Sequence, residues 1–264
     1  MIKAAFFDID GTLYSNSQSR VLPSTMDALH QLREKGVMLF VCTNRSLDEI
    51  EALPEELKNL LTGVVSLAGS KLSVNGKSVL VPVMKQDEVD RVIELMDKHQ
   101  IMYRWVTEGQ GGHLNCDDEN TIQLFEKAYG MHPTPQPYKG EPLSHLLYYS
   151  QDEAFFEELH KLAPSMEHLH LGFANEMLVK GASKGNGMKQ MMEYFGLTVE
   201  DCAAFGDGYN DADMLEMAKI GIAIGNAKDN CKQAADYITD HIDQDGLYKA
   251  CLHFGWIERK CYEN

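Results

Sequence analysis

The opening of the chain sets a buried-strand pattern directly in front of two carboxylates. Ile2-Lys3-Ala4-Ala5-Phe6-Phe7 is a mostly apolar run of strand length, and Asp8-Ile9-Asp10-Gly11-Thr12 follows without a gap. Such a run, ended by carboxylates and a glycine, is the pattern of a parallel strand buried on both faces whose carboxyl end carries polar chemistry. Aspartates two apart on an extended backbone project to the same side, so Asp8 and Asp10 can face one pocket. Two carboxylates so placed repel each other unless a cation or a shared proton offsets the charge. Gly11 lets the backbone turn sharply away. Two readings of the pentapeptide stand open: a metal-assisted aspartyl nucleophile with an acid/base neighbour, and a solvated turn, for which Asp and Gly are common residues.

Downstream, the strand-then-polar-turn pattern recurs. After a polar loop over 15–20, Pro23-Ser24-Thr25 opens a helix with Met26, Leu29 and Leu32 on one face and Gly36 as its C-cap. Residues 37–42 form a second all-apolar strand, followed by Thr43-Asn44-Arg45. Ser46-Leu47-Asp48-Glu49 then has capping-box form, so the polar triplet precedes a helix N-terminus, where free backbone N–H groups suit an anion. A third buried strand is predicted over 63–68. A hairpin pairs 72–74 with 79–81 around Asn75-Gly76-Lys77.

From about Val83 the pattern changes. A helix over 87–98 buries Val89, Val92, Ile93 and Met96; a strand over 101–106, a flexible loop over 108–112, strands over 143–149, 167–171 and 177–179, and an amphipathic segment over 152–162 follow. This predicts a smaller α/β unit over 83–180 inserted into a unit made of 1–82 and 181–264. Ser183 caps a helix running to Phe195, with Gly196 as its stop. Residues 202–205 are a strand ending in Gly206-Asp207-Gly208-Tyr209-Asn210-Asp211, a helix with Met214, Leu215 and Met217 comes next, and a strand over 220–224 leads to a helix start at Gly225-Asn226. The expected fold is α/β: a doubly wound parallel sheet with its chemistry at the carboxyl ends of the strands.

In such a sheet the strand ends line one edge, so Asp8, Thr43 and the 206–211 stretch meet in one crevice, and Lys184 at a helix N-terminus is the cation placed to join them. Asp8, Asp10, Asp207 and Asp211 make an oxygen-rich site of the kind hard Mg²⁺ prefers, and zinc is disfavoured without clustered Cys and His. His168 and His170 share a strand face but lack a third ligand, which favours a structural role. Tyr103, Arg104 and Trp105, with the loop over 109–112, sit in the inserted unit as candidates to read the substrate, and core packing is at least as expected for Tyr103 and Trp105.

Forty acidic against 24 basic residues give a formal net charge of −16, which disfavours nucleic acid and anionic membranes as partners and leaves any phosphate binding to local arrangement. Six cysteines without C-x-x-C spacing fit a reducing cytoplasm, and no apolar run reaches membrane-spanning length.

The sequence resembles the haloacid dehalogenase superfamily of phosphohydrolases, and within it the Cof-type group with a large cap between the second and third motifs. The residues that carry the resemblance are Asp8-x-Asp10-Gly-Thr, Thr43 after the second strand, Lys184, and Gly206-Asp207-Gly208-x-Asn210-Asp211 followed by Met214. Relatives often have Thr-Gly-Arg where this chain has Thr43-Asn44-Arg45, a change that keeps the backbone N–H at residue 44. The resemblance implies a Mg²⁺-dependent phosphatase of small phosphorylated metabolites such as sugar phosphates. Asp8 is then the nucleophile and Asp10 the acid/base; Thr43, Asn44, Lys184 and Asn210 bind the phosphoryl group. Asp8, the Asp10 carbonyl and Asp207 hold the metal, with Asp211 behind them. A phosphomutase using the same intermediate and a catalytically idle metabolite-binding protein are the alternatives. Oligomeric state is not legible.

Overall fold

A computed structural model describes residues 2–80, 82–107, 112–123, 134–170 and 174–259. The expected loop residues 108–111, Val81 of the hairpin, Leu171 of the strand and Cys261 lie outside the described residues.

Sixteen strands are described: β1 (Ala4–Phe7), β2 (Tyr14–Ser15), β3 (Arg20–Val21), β4 (Met38–Cys42), β5 (Gly63–Ser66), β6 (Lys71–Val74), β7 (Lys77–Leu80), β8 (Met102–Thr107), β9 (His113–Leu114), β10 (Thr134–Pro135), β11 (Leu143–Tyr149), β12 (Met166–His170), β13 (Asn175–Val179), β14 (Cys202–Gly206), β15 (Ile220–Ala223) and β16 (Tyr237–Ile238). Eight of them form one sheet in the order β16-β15-β14-β1-β4-β5-β6-β7. The pairs from β16 to β5 are parallel. The apolar runs that alternate with helices produce this arrangement, because each crossover helix covers a sheet face and the strand between is buried on both sides. In β1, Ala5 and Phe7 pack with Leu29 and Leu32 of the helix Pro23–Glu34 and with Leu247 of the helix Gly246–His253. Ala4 and Phe6 pack on the opposite face with Met188 and Met191 of the helix Lys184–Tyr194 and with Met214 and Leu215 of the helix Ala212–Met217. The chain leaves β1 toward β4 on one side and returns through β14 on the other. The strand order therefore reverses at β1, and a crevice opens at its carboxyl end.

Three local differences from expectation have physical causes. β6 runs antiparallel to β5, where a parallel sheet is expected, because the turn over 67–70 folds the chain straight back. The predicted hairpin then pairs it with β7 around Asn75 and Gly76, at φ of 50° and 71°, with β7 starting at Lys77 rather than residue 79. β5 stops at Ser66 rather than at residue 68. Leu67 and Ala68 turn to positive φ and donate their N–H groups to the carbonyls of Arg45 and Thr43, at 3.2 and 3.1 Å. The stretch expected as a polar loop over 15–20 is framed by a two-stranded ribbon, β2 with β3.

The second sheet lies wholly within residues 102–179, in the order β10-β9-β8-β11-β13-β12. Alternation along its strands separates two faces. Tyr103, Trp105, Leu146, Tyr148 and Met177 pack under the helices Gln86–Lys98 and Glu153–Leu162. Arg104, His145 and Glu176 occupy the other face; Arg104 meets Glu49 and Glu176 meets Asn44, both outside this sheet, while His145 meets Glu176. Tyr103 and Trp105 are thus core residues, 1% and 0% exposed. His168 bonds the Ala163 carbonyl and His170 bonds Asn175, so each finds a partner within its own sheet region. Among the described residues no helix is long and apolar enough to cross a membrane.

Candidate active site

Asp8 sits one residue past the pairing of β1, its N–H donating to the Phe205 carbonyl at 3.0 Å. Its side chain is buried, and Lys184 Nζ donates to its Oδ1 at 2.8 Å. The same ammonium donates to Asp211 Oδ1 at 2.6 Å. Ser183 accepts from the Asn186 N–H and starts the helix at Lys184, and this start aims Lys184 back across the strand ends. Asp211 is fixed from behind, because its Oδ2 accepts from the N–H groups of Asp207 and Gly208 at 2.9 and 2.8 Å.

Asp207 completes the group: Asp8, Asp207 and Asp211 present carboxylate oxygens within 4.8 Å of one another. Thr12 donates to one oxygen of Asp207 at 2.8 Å and Asn226 to the other at 3.1 Å, while Asn226 also donates to the Gly11 carbonyl. Gly11 is at φ +88°, and a Cβ there would stand 2.3 Å from Asp207 Oδ2. Only glycine lets the turn pass so close to that carboxylate.

From the neighbouring strand, β4, come Thr43, Asn44 and Arg45. Thr43 is buried and its hydroxyl accepts from the Arg45 N–H at 3.1 Å. Arg45 grips the Asp10 carboxylate with two bonds, Nε to Oδ2 at 2.9 Å and Nη2 to Oδ1 at 2.6 Å. Asn44 accepts from Asn210 Nδ2 and donates to Glu176 Oε1 of the second sheet at 2.5 Å. The predicted capping box is present: Glu49 accepts from the Ser46 N–H, and Ser46 accepts from that of Glu49. Glu49 also pairs with Arg104 of β8, both side chains being about 2% exposed.

The electrostatics follow from three carboxylates converging on one ammonium. Burial and repulsion from Asp211 push Asp8 well above the usual carboxylate range, against the pull of Lys184. Burial and Asp211 likewise push Asp207 up to about 7. Burial draws Lys184 down, but Asp211 and Asp8 outweigh it and hold the ammonium charged. An oxygen-only set, buried at Asp8 and Asp211 and half-buried at Asp207, with surplus negative charge fits a hard divalent cation.

All the residues expected from the sequence lie around this crevice. Asp8, Lys184, Asp207 and Asp211 converge directly, whereas the Asp10 carboxylate turns to Arg45, and Asn44 and Asn210 pair with each other. The supports Thr12, Arg45 and Asn226, and the contributions of His145 and Glu176, were not singled out from the sequence as site residues. Thr12 and Arg45 stand inside the quoted motifs, and Asn226 follows the strand end at Gly225. Arg104, a candidate substrate reader by sequence, pairs with Glu49, while His145 and Glu176 carry no local signal.

A family model of the haloacid dehalogenase-like hydrolases matches residues 5–251. A putative phosphatase of Bacillus subtilis, YkrA, is 27% identical over 97% of this chain and 99% of its own. A second B. subtilis protein, the 5-amino-6-(5-phospho-D-ribitylamino)uracil phosphatase YcsE, is 28% identical over 97% of this chain and 96% of its own. Among solved structures, that of the subclass IIB sugar phosphatase BT4131 superposes with a TM-score of 0.84 at 29% identity, covering 97% of this chain and 100% of that one. The chain belongs to the haloacid dehalogenase-like hydrolases, as a Cof-type phosphohydrolase.

Proposed function

We propose that this protein is a Mg²⁺-dependent phosphatase of small phosphorylated metabolites, acting through an aspartyl-phosphate intermediate. The observation that carries the reading is the set of Asp8, Asp207 and Asp211 around the buried Lys184 at the strand-order reversal. Asp8 attacks phosphorus in line, and the P–O bond to the leaving alkoxide breaks as the Asp8–phosphorus bond forms. Asp10 delivers a proton to the leaving oxygen, then takes one from the water that hydrolyses the intermediate. In the structure the Arg45 fork holds both Asp10 oxygens, so Asp10 must release Arg45 to serve the leaving oxygen. Thr43, the amide at residue 44, Asn210 and Lys184 hold the phosphoryl oxygens, where fixed donors and charge stabilise the transition state. Asp8, the Asp10 carbonyl and Asp207 would hold Mg²⁺, which when bound offsets the charge between nucleophile and phosphate. Asp211 orients Lys184.

Residues 83–180 act as a cap over the core formed by 1–82 and 181–264, closing on the leaving group and excluding water. The relatives' names, a ribitylamino-uracil phosphatase and a sugar phosphatase, support hydroxylated metabolites as the substrate class.

The test is phosphate release from an aryl phosphate and from a set of sugar phosphates, with and without EDTA, by the wild type and by Asp8→Asn. Release that needs the metal and vanishes in Asp8→Asn supports the reading. Activity persisting in Asp8→Asn overturns the nucleophile assignment.

A further inference from the structure

The second sheet holds two wholly buried polar side chains, one in contact with the crevice residue Asn44 and the other behind it, and each keeps one atom without a partner among the described residues. Glu176 on β13 and His145 on β11 are 0% exposed. Leu147 pairs with Glu176 and His145 pairs with Leu178 across these antiparallel strands, so Glu176 and His145 lie diagonally on one face. Glu176 Oε1 accepts from Asn44 at 2.5 Å and lies 3.2 Å from His145 Nε2. Asn44 in turn accepts from Asn210, next to the Asp211 that holds Lys184. Two hydrogen bonds therefore separate Glu176 from the loop that carries Asp207 and Asp211. Glu176 Oε2 and His145 Nδ1 are sealed from solvent and have no hydrogen-bond partner among the described residues.

A buried polar atom left unpaired is costly, and a fold retains it where something else supplies the partner. Since Oε1 accepts, His145 Nε2 donates to it, and Glu176 Oε2 is left asking for a donor. His145 Nδ1 is open as an acceptor on a neutral ring and as a donor on a charged one, and a hydroxyl serves in either case.

We propose that Glu176 and His145 form the specificity site of this enzyme and read at least two hydroxyl groups on the leaving group, so that it favours polyol and sugar phosphates over alkyl phosphates of equal length. The site gives the open atoms their partners only once substrate has entered and the cap has closed over it. A site whose buried acceptors stay unpaired discriminates strongly against an analogue lacking the hydroxyls. This rests on the phosphatase reading above and goes beyond it, by naming the two residues that choose the leaving group.

Binding to the Asp8→Asn protein reads the inference without turnover. Calorimetry with erythritol 4-phosphate and with butyl phosphate, in Mg²⁺, is expected to show the polyol bound at least about tenfold more tightly. Adding Glu176→Leu is expected to collapse that ratio, and Glu176→Gln, which keeps size and one acceptor oxygen, to lower it. No preference in Asp8→Asn, or an equal loss for both ligands in both Glu176 variants, overturns the proposal. An ammonium would satisfy the same acceptors, so tighter binding of ethanolamine phosphate than of the polyol overturns the hydroxyl form. Phosphate release by the wild type is scored separately: a binding preference without release refutes hydrolysis and leaves the specificity site standing.

Discussion

Arg104 of β8 and Glu49 of the helix Leu47–Ile50 form an ion pair across the seam between the two sheets, with both side chains about 2% exposed. Arg104→Met is expected to leave Glu49 buried without its counter-ion, a change that costs about 3–5 kcal/mol where the charge cannot rehydrate. Opening of the second sheet away from the first rehydrates Glu49, so the loss appears first as faster amide exchange at the seam and a raised KM. Equal exchange in wild type and variant would count against a seam held by this pair.

The same pair sets a pH dependence. Burial pushes Glu49 up, but Arg104 and the Ser46 hydrogen bonds outweigh it and hold the carboxyl below its ordinary range. A carboxyl depressed in the folded state binds fewer protons there than when unfolded. Its contribution is therefore present above the ordinary carboxylate range and is lost as pH falls through the depressed value. Urea midpoints of wild type and Glu49→Gln should differ near pH 7 and converge in acid. A gap that widens toward acid would contradict the sign.

Removing the metal should lower the melting temperature, because an ion bound only to the folded state stabilises it by about 2.7 kcal/mol at a hundredfold excess over its dissociation constant. Asp207→Asn is expected to abolish the Mg²⁺-dependent shift measured by differential scanning calorimetry. A shift of wild-type size in that variant would remove Asp207 from the metal set.

Gly11→Ala introduces a Cβ 2.3 Å from Asp207 Oδ2 at a φ of +88°. The strained backbone costs about 1–3 kcal/mol, and displacement of Asp207 should weaken Mg²⁺ binding well beyond what that strain does to the fold. The comparison is the Mg²⁺ dissociation constant against the urea midpoint. Wild-type Mg²⁺ affinity in the alanine variant would refute the close-approach argument.

Trp105 adjoins Arg104 but faces the other way, into the apolar layer under the helices Gln86–Lys98 and Glu153–Leu162. Trp105→Ala should cost about 3–5 kcal/mol of stability. That loss is read by denaturant unfolding of the second sheet, in contrast to the seam effect of Arg104→Met.

The chain by itself determined the core strands and the polar residues at their ends, because a buried parallel strand is a continuous apolar run and its terminus must be polar. Asp8, Thr43, Asp207 and the capping box at Ser46 were legible for that reason, as was Lys184 from the helix start at Ser183. Tyr103 and Trp105 remained open between core and site, since an aromatic on a strand looks the same in either setting until its facing layer is known. Only the tertiary structure decided that Arg45 holds Asp10, that Thr12 and Asn226 support Asp207, that Glu176 reaches Asn44 with His145 behind it, and that Arg104 pairs with Glu49. Glu49 and Arg104 are 55 residues apart, and Asn44 and Glu176 are 132 apart. Such pairs leave no periodicity, because they depend on how one sheet is set against another, and that setting is fixed by packing over the whole chain.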